Sequence, residues 1–294
     1  LQLDSWVDSM YTHLQTAYNL VQKYLPPTHP RQAEIKGHLA LYHSQNGEDQ
    51  LAERYWNEAI DIYKQNPGGQ SVRLARIYRQ TSKYYRKKQF PQKSLEEVRK
   101  GKLLLAGDQF NEEWNAKGWT QIEGRDIFFL LSIEEIKVYF ALFEQTQALS
   151  YLEKAQKLTS YTDSYLNYIR MEFSDLVRKN LSSHSTDLYE KGINIAFEQY
   201  KRTGEEQYLN QAFIYSEKNK ALSLQEHLIR NNSSLFGGIP AELQLGEEDL
   251  RMKISHQQRL FQVKLNDGKT DSLTLSQTRD ELLDLYSQYD SLLA

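Results

Sequence analysis

One packing pattern recurs along the chain: a small residue, a bulky residue four positions later, and a second small residue three positions after that. The clearest copies are Ala52, Trp56 and Ala59; Ser94, Val98 and Gly101; and Ala148, Leu152 and Ala155. Weaker copies are Ala212, Ser216 and Asn219, and Met10, Leu14 and Ala17. At these spacings the three residues share one face of an α-helix. Because helices approach closely where small side chains meet, the pattern predicts antiparallel helix pairs, with the bulky residue packed against the next pair.

The rest of the chain also favours an all-α fold. Only 6 prolines and 14 glycines interrupt the 294 residues, and the stretches between them show helical spacing of apolar residues. Runs of β-branched residues are nearly missing. Helical segments precede three copies of the pattern and supply the partner helices, at 32–48, 72–89 and 127–145.

Helix pairs of this kind resemble the tetratricopeptide repeat (TPR), a helix–turn–helix of roughly 34 residues. The best matches in an array over residues 1–232 are 35–67, 73–105, 127–158 and 185–230. The resemblance implies a right-handed α-α superhelix, or solenoid, whose concave groove binds a peptide or protein. The alternative interpretation is a generic helical bundle in which the alanines coincide by chance.

An insertion at 106–125 interrupts the array and carries Trp114 and Trp119. One interpretation is that the insertion caps or lines the groove. The other is that both tryptophans simply pack the insertion against the array.

A strongly basic segment lies between Arg73 and Lys102, where eleven Lys or Arg residues face only two acids, a local charge of +9 in a chain of net charge −3. Four of these cations are spaced by three or four positions and therefore share one face of the predicted helix: Arg76, Arg79, Lys83 and Arg86. The opposite face is expected to pack, through Leu74, Ile77, Tyr78, Thr81 and Tyr85.

Two interpretations of the basic face remain open, with a third behind them. In a TPR pair this face of the first helix would line the groove, so Arg76, Arg79, Lys83 and Arg86, joined by Lys137 of the next repeat, would bind an acidic peptide or protein surface. Alternatively, the face is solvated and neutralised by acidic segments of the same chain. The third interpretation is a nucleic-acid-responsive regulator that uses this stripe, although no supporting motif accompanies it.

The sequence offers little for catalysis. It contains no cysteine, and its seven histidines form no metal-binding spacing. The carboxylate pairs Glu134–Glu135 and Glu247–Glu248 fit ordinary helical charge patterns. We therefore expect no catalytic site, metal or cofactor, and an enzyme with an undetected site is the remaining alternative.

The last third of the chain changes character. Glycines and Pro240 break the helical pattern at a predicted linker, 233–240. A long antiparallel helical hairpin is expected over 241–294, with its apolar positions at Leu243, Leu250, Ile254, Leu260, Phe261 and Leu265 in the first arm and Leu282, Leu285, Tyr286, Tyr289 and Leu293 in the second.

The helix before this linker has a distinctive motif: Ala212, Phe213, Tyr215, Glu217, Lys220, Ala221 and Leu224. Together with the order of elements over 185–294, it resembles the segment that joins the repeats to the caspase- and separase-like module of bacterial TPR–CHAT proteins. The resemblance implies the regulatory half of such a protein, in contact with a module that any peptidase activity would require and that would follow residue 294. No catalytic residue carries over to this chain.

Glu217 and Lys220 lie within an apolar stripe formed with Phe213, Ala221, Leu224 and Leu228. One hypothesis makes the two charges a docking motif for the C-terminal module, at the edge of a contact between Ala221, Leu224, Leu228 and the hairpin. The other makes them a structural ion pair at a helix junction.

A cytoplasmic, non-membrane location is expected, because no apolar run approaches the roughly 20 residues that span a bilayer. The sequence begins at Leu1 rather than methionine, which leaves a removed leader open.

Overall fold

The computed structural model describes residues 2–66, 68–107, 116–119, 121–172, 175–230 and 272–293, together with 246, 249–250, 252–254, 256–257, 260 and 264. Within this part of the chain the fold is all-α, with no strand. The helices are α1 (Gln2–Tyr24), α2 (Pro30–Gln45), α3 (Asp49–Gln65), α4 (Ser71–Lys87), α5 (Pro91–Ala106), α6 (Ala116–Trp119), α7 (Arg125–Thr146), α8 (Leu149–Glu172), α9 (Asp175–Thr203), α10 (Glu206–Arg230) and α11 (Ser272–Leu293).

The chain forms two compact units. The first contains Leu1–Phe173 and Val177–Lys220, and the second contains Ser174–Leu176 and Ala221–Ala294. The predicted linker at 233–240 lies outside the described residues.

Consecutive helices of the first unit pack in pairs: α2 with α3, α4 with α5, and α7 with α8. Short connections hold each pair together. Gly47 has a φ of 79° in the turn between α2 and α3, a conformation that glycine adopts without steric cost. The sequence prediction of an all-α chain of packed helix pairs is confirmed.

Small residues lie where these helices meet. Ala52 and Ala59 are fully buried on either side of Trp56 in α3. A Cβ at Gly101 of α5, which closes the second copy of the pattern, would lie 3.0 Å from Leu131 Cδ1 of α7. The recurring pattern therefore marks close approaches of helices in these first pairs.

Other copies of the pattern pack less completely. Ala148 is half-exposed because it precedes the first residue of α8, Leu149. Leu14 and Ala17 of α1 are only half-buried, and the same holds for the weak copy in α10. The two weak copies thus pack less completely than the three clear ones, in which only Ala148 is half-exposed.

The insertion between α5 and α7 is held by Trp119. This side chain is only 8% exposed, donates a hydrogen bond from Nε1 to Tyr161 Oη of α8 at 2.8 Å, and meets the Tyr165 ring edge-on at 5.5 Å. Trp119 therefore packs the insertion against α8, whereas Trp114 lies outside the described residues.

In the second unit, α11 contacts the described residues of 252–264. Lys264 Nζ donates to Thr278 Oγ1 at 2.8 Å, and Gln257 donates to Glu281. Ile254 and Thr278 are buried there. No helix in the described part of either unit is long and apolar enough to cross a membrane.

Candidate functional site

Helix α4 has two chemically distinct faces. Leu74, Ile77, Tyr78 and Thr81 are buried against neighbouring helices. Arg79, Lys83 and Arg86 lie on the other face and are partly buried, while Arg76 is exposed at its start. The 3.6-residue period of the helix produces this separation.

Helices α7 and α9 bring further charges to the basic face of α4. Arg86 Nε donates to Glu134 Oε1 of α7 at 2.6 Å, and Arg86 Nη2 lies 3.4 Å from Glu134 Oε2. Lys137 Nζ of α7 donates to Asp187 Oδ2 of α9 at 2.6 Å. We call the resulting set the basic cluster; its members are Arg79, Lys83, Arg86, Glu134, Lys137, His184, Asp187 and Lys191.

Arg79 is the least satisfied member of the cluster. Its Nε is buried without a hydrogen-bond acceptor, and no described residue accepts a hydrogen bond from its other guanidinium nitrogens. Burial lowers the pKa of Arg79, although the negative charges of Glu134 and Asp187 oppose this effect. A buried N–H without an acceptor is rare in proteins and destabilises the fold.

Lys83 lies one helical turn further along α4. Burial lowers its pKa, and the positive charge of Arg79 lowers it further. No residue in the described ranges forms an ion pair with it. Two neighbouring cations thus share a poorly hydrated site without a bound carboxylate.

The charges of α9 extend the cluster on its other side. Burial lowers the pKa of Lys191, whose ammonium lies 4.4 Å from the centre of the Phe140 ring. Burial and the charge of Arg79 lower the pKa of His184, which therefore stays neutral at pH 7. Burial raises the pKa of Asp187, but the hydrogen bond and charge of Lys137, with other nearby cations, outweigh this effect and leave that pKa below its usual value.

The cluster has an excess of positive charge. Five cations (Arg79, Lys83, Arg86, Lys137 and Lys191) face three carboxylates (Glu134, Asp187 and Glu144, which acts on Lys191), so two positive charges remain with His184 neutral. Arg86 and Lys137 are each bound to one of the carboxylates. Glu144 acts on Lys191, so the uncompensated charge lies mainly at Arg79 and Lys83.

Three other cations of the basic segment, Lys88, Lys100 and Lys102, are neutralised by carboxylates of the protein, whereas Arg73, Arg76, Lys87 and Lys93 are exposed. Lys88 pairs with Asp49 at 2.7 Å, and Lys100 pairs with Glu97 at 2.6 Å. The two interpretations of this segment thus apply to different residues: neutralisation describes these pairs, whereas Arg79 and Lys83 retain uncompensated charge.

The adjacent carboxylates Glu134 and Glu135, which the sequence places in an ordinary helical charge pattern, are buried in the structure. Each is only 2% exposed. Glu134 accepts from Arg86 of α4, whereas Glu135 accepts from Lys102 of α5 at 2.7 Å. Because both lie inside the protein, each needs its cation.

Five residues were predicted from the sequence for the partner-binding groove, and four of them meet in the cluster: Arg79, Lys83, Arg86 and Lys137. Arg76 is exposed near the start of α4. Its positive charge opposes the rise in the pKa of Tyr63 of α3 that burial causes. His184, Asp187 and Lys191 were missed, because sequence spacing does not show that their helix packs beside the basic face of α4. Their spacing of three and four residues is the signal that indicates a common helix face.

Glu217 and Lys220 of α10 bond to each other. Lys220 Nζ lies 2.7 Å from Glu217 Oε1, with side chains 70% and 49% exposed. Phe213 on the same stripe is 66% exposed. The helix packs instead through Tyr215, which is buried, and Lys218 bonds to Asp163 of α8 at 2.5 Å. The side chains of Leu224 and Leu228 lie outside the described set.

No family model matches the chain, and neither the curated proteins nor the solved structures contain a detectable match. Among the described residues, no group of three or more acidic or histidine side chains is placed to hold a metal ion. The candidate site therefore has to be interpreted from its own geometry.

Proposed function

We propose that the protein is an interaction scaffold whose basic cluster binds an acidic segment of a protein or peptide. The observation that carries this proposal is the pair Arg79 and Lys83, two partly buried cations without an acceptor in the described protein. Carboxylates of a partner would supply the missing acceptors through charge-assisted hydrogen bonds. The unbound site is costly to the fold, which favours a role in binding rather than in stability.

The geometry supports a TPR-like solenoid as the finer description of the first unit. The cluster residues come from α4, α7 and α9, and α4 and α7 are each the first helix of a pair. In a solenoid the first helices of successive pairs line one continuous surface. The contacts Lys264–Thr278 and Gln257–Glu281 likewise support an antiparallel hairpin in the second unit. From Gln257 to Lys264 the chain advances, while the partner residues run back from Glu281 to Thr278.

We further propose that the chain is the regulatory part of a TPR–CHAT protein. This rests on the motif that includes Phe213, Glu217 and Lys220, all of which are exposed on α10. An exposed apolar residue beside an exposed ion pair suits a contact with another module. A gene sequence that encodes a His and a Cys, each after an apolar strand-like run, within about 300 residues beyond Ala294 would support this assignment, and a stop codon there would exclude it.

The cluster favours a protein partner over a nucleic acid. Single-stranded nucleic acids bind where aromatic side chains stack with bases beside basic residues. Phe140 is the aromatic residue that the described contacts place at the cluster, and Lys191 already covers its ring. The nucleic-acid alternative is tested in the same experiment as the peptide.

The test compares charge reversal inside and outside the cluster. A fluorescent octapeptide with four Glu is titrated by anisotropy against the wild-type chain, Arg79→Glu/Lys83→Glu, and the control Arg73→Glu/Lys93→Glu. Both control residues are exposed and belong to the same basic segment. We expect the cluster variant to lose at least roughly tenfold in affinity and to show a flatter salt dependence, while the control stays within about twofold.

Equal affinity of the two double variants would contradict the proposal, provided that their circular dichroism spectra match that of the wild type. Tighter binding of a uridine oligonucleotide than of the acidic octapeptide, at the same salt concentration, would favour the nucleic-acid alternative.

A further inference from the structure

Two cations of the cluster without a carboxylate, Arg79 and Lys83, lie one helical turn apart on α4. Arg86 and Lys137 each have a carboxylate within 2.6 Å. Arg79 and Lys83 have none in the described structure, and His184 is close enough that both of their charges lower its pKa. We call Arg79, Lys83 and His184 the Arg79 site.

The three side chains offer donors of complementary shape. Arg79 presents a planar fork of N–H groups, which matches two oxygens of one anion. Lys83 adds an ammonium with three donors, and His184 adds a ring nitrogen. Together they suit an anion with more than two acceptor oxygens.

The local charge also exceeds what one carboxylate would neutralise. Two positive charges remain in the cluster after Glu134, Asp187 and Glu144 are counted. A carboxylate carries one negative charge and two oxygens, whereas a phosphate monoester carries close to two charges at pH 7 and three terminal oxygens. Partial burial strengthens this difference, because water screens the charges less.

We propose that the Arg79 site binds a phosphate monoester dianion carried by the acidic partner. This rests on the proposed function and names the group that the partner presents. Arg79 binds two of the phosphate oxygens, and Lys83 neutralises the second negative charge of the phosphate. His184 donates a hydrogen bond from its ring nitrogen to the anion.

The test uses two small probes with the same backbone, N-acetyl-phosphoserine N-methylamide and N-acetyl-glutamate N-methylamide. Binding is measured by isothermal titration calorimetry at pH 7.5 and low ionic strength. We expect the phosphoserine probe to bind at least about tenfold more tightly than the glutamate probe. Lys83→Met abolishes this preference, whereas the control Lys93→Met retains it.

Three results would overturn the proposal. The first is equal binding of both probes, and the second is a preference that Lys83→Met leaves intact. The third is binding of inorganic phosphate more tightly than the phosphoserine probe, which would assign the site to a free anion. The acidic octapeptide distinguishes failure of the phosphate proposal from failure of the scaffold proposal. If the wild type binds the octapeptide more tightly than Arg79→Glu/Lys83→Glu does, the scaffold function stands without phosphate recognition.

Discussion

At the scale of single residues, the same helix face holds side chains with opposite effects on stability. Arg86 of α4 satisfies Glu134, which would otherwise be a buried carboxylate without a partner. Arg79, two turns earlier, has a buried Nε without an acceptor. Binding residues commonly oppose folding in this way, because a site prepared for a ligand is strained in its absence.

The substitution of each arginine by methionine distinguishes these roles. Arg79→Met should raise the free energy of unfolding by about 1 kcal/mol, since it removes an unsatisfied buried donor and keeps the aliphatic contacts. Arg86→Met should lower it by about 2 kcal/mol, because Glu134 loses its cation. Urea denaturation measures both values. A change of the same sign in both variants would refute the distinction.

At the scale of elements, α7 links both helices of the preceding pair. Its consecutive residues Glu134 and Glu135 point to different neighbours, the first to α4 and the second to α5. Glu134 belongs to the cluster, whereas Glu135 and Lys102 form an ion pair that is almost fully buried, with side chains 3% and 4% exposed. One helix therefore positions the site and secures the core beneath it.

A double-mutant cycle tests the buried pair. Lys102→Met should cost about 3 kcal/mol of unfolding free energy, because it leaves Glu135 buried without its cation. Glu135→Gln should also lower the free energy of unfolding, because it removes the carboxylate that Lys102 binds. The double variant should cost at least about 1 kcal/mol less than their sum. The exposed pair Glu217–Lys220 is the control, with an expected coupling of about 0.2–0.5 kcal/mol. If the unfolding costs of the two single substitutions simply add in the double variant, Lys102 and Glu135 do not stabilise each other and the prediction is wrong.

The same elements show how far the sequence predicts the structure. The faces of α4 were predictable, because helical periodicity alone decides which residues lie together. The contribution of α9 was not, since Asp187 meets Lys137 only through the packing of helices that are 50 positions apart in sequence. The burial of Glu134 and Glu135 was missed for the same reason. Sequence spacing predicts which residues share a helix face, but it does not show which other helix packs against that face.

At the scale of the whole molecule, charge is unevenly distributed. The chain has a net charge of −3 and a local charge of +9 between Arg73 and Lys102, so the remainder carries −12. An acidic partner is therefore repelled by most of the protein. Attraction acts only within about 8–10 Å of the cluster at physiological salt, which makes binding depend on close fit.

Hydrogen exchange tests this localisation. With saturating phosphoserine probe, amide protection should rise in α4, α7 and α9, around residues 79–86, 134–137 and 184–191, because ligand binding suppresses local opening. The rest of the first unit and α11 should exchange at unchanged rates. Protection that appears mainly in α1, α2 or α11 would place the probe elsewhere.

The origin of the cluster in three helices has a consequence for how this chain can evolve. Helical-repeat proteins commonly gain or lose whole repeats, since each repeat contacts only its neighbours. Here α4, α7 and α9 each supply a different part of one charge arrangement, from Arg79 to Lys191. Insertion of a helix pair between them would separate Arg86 from Glu134 or Lys137 from Asp187 and, in the first case, leave Glu134 buried without its cation. The cluster thus favours a fixed number and order of helices between α4 and α9, and length variation is expected outside this segment.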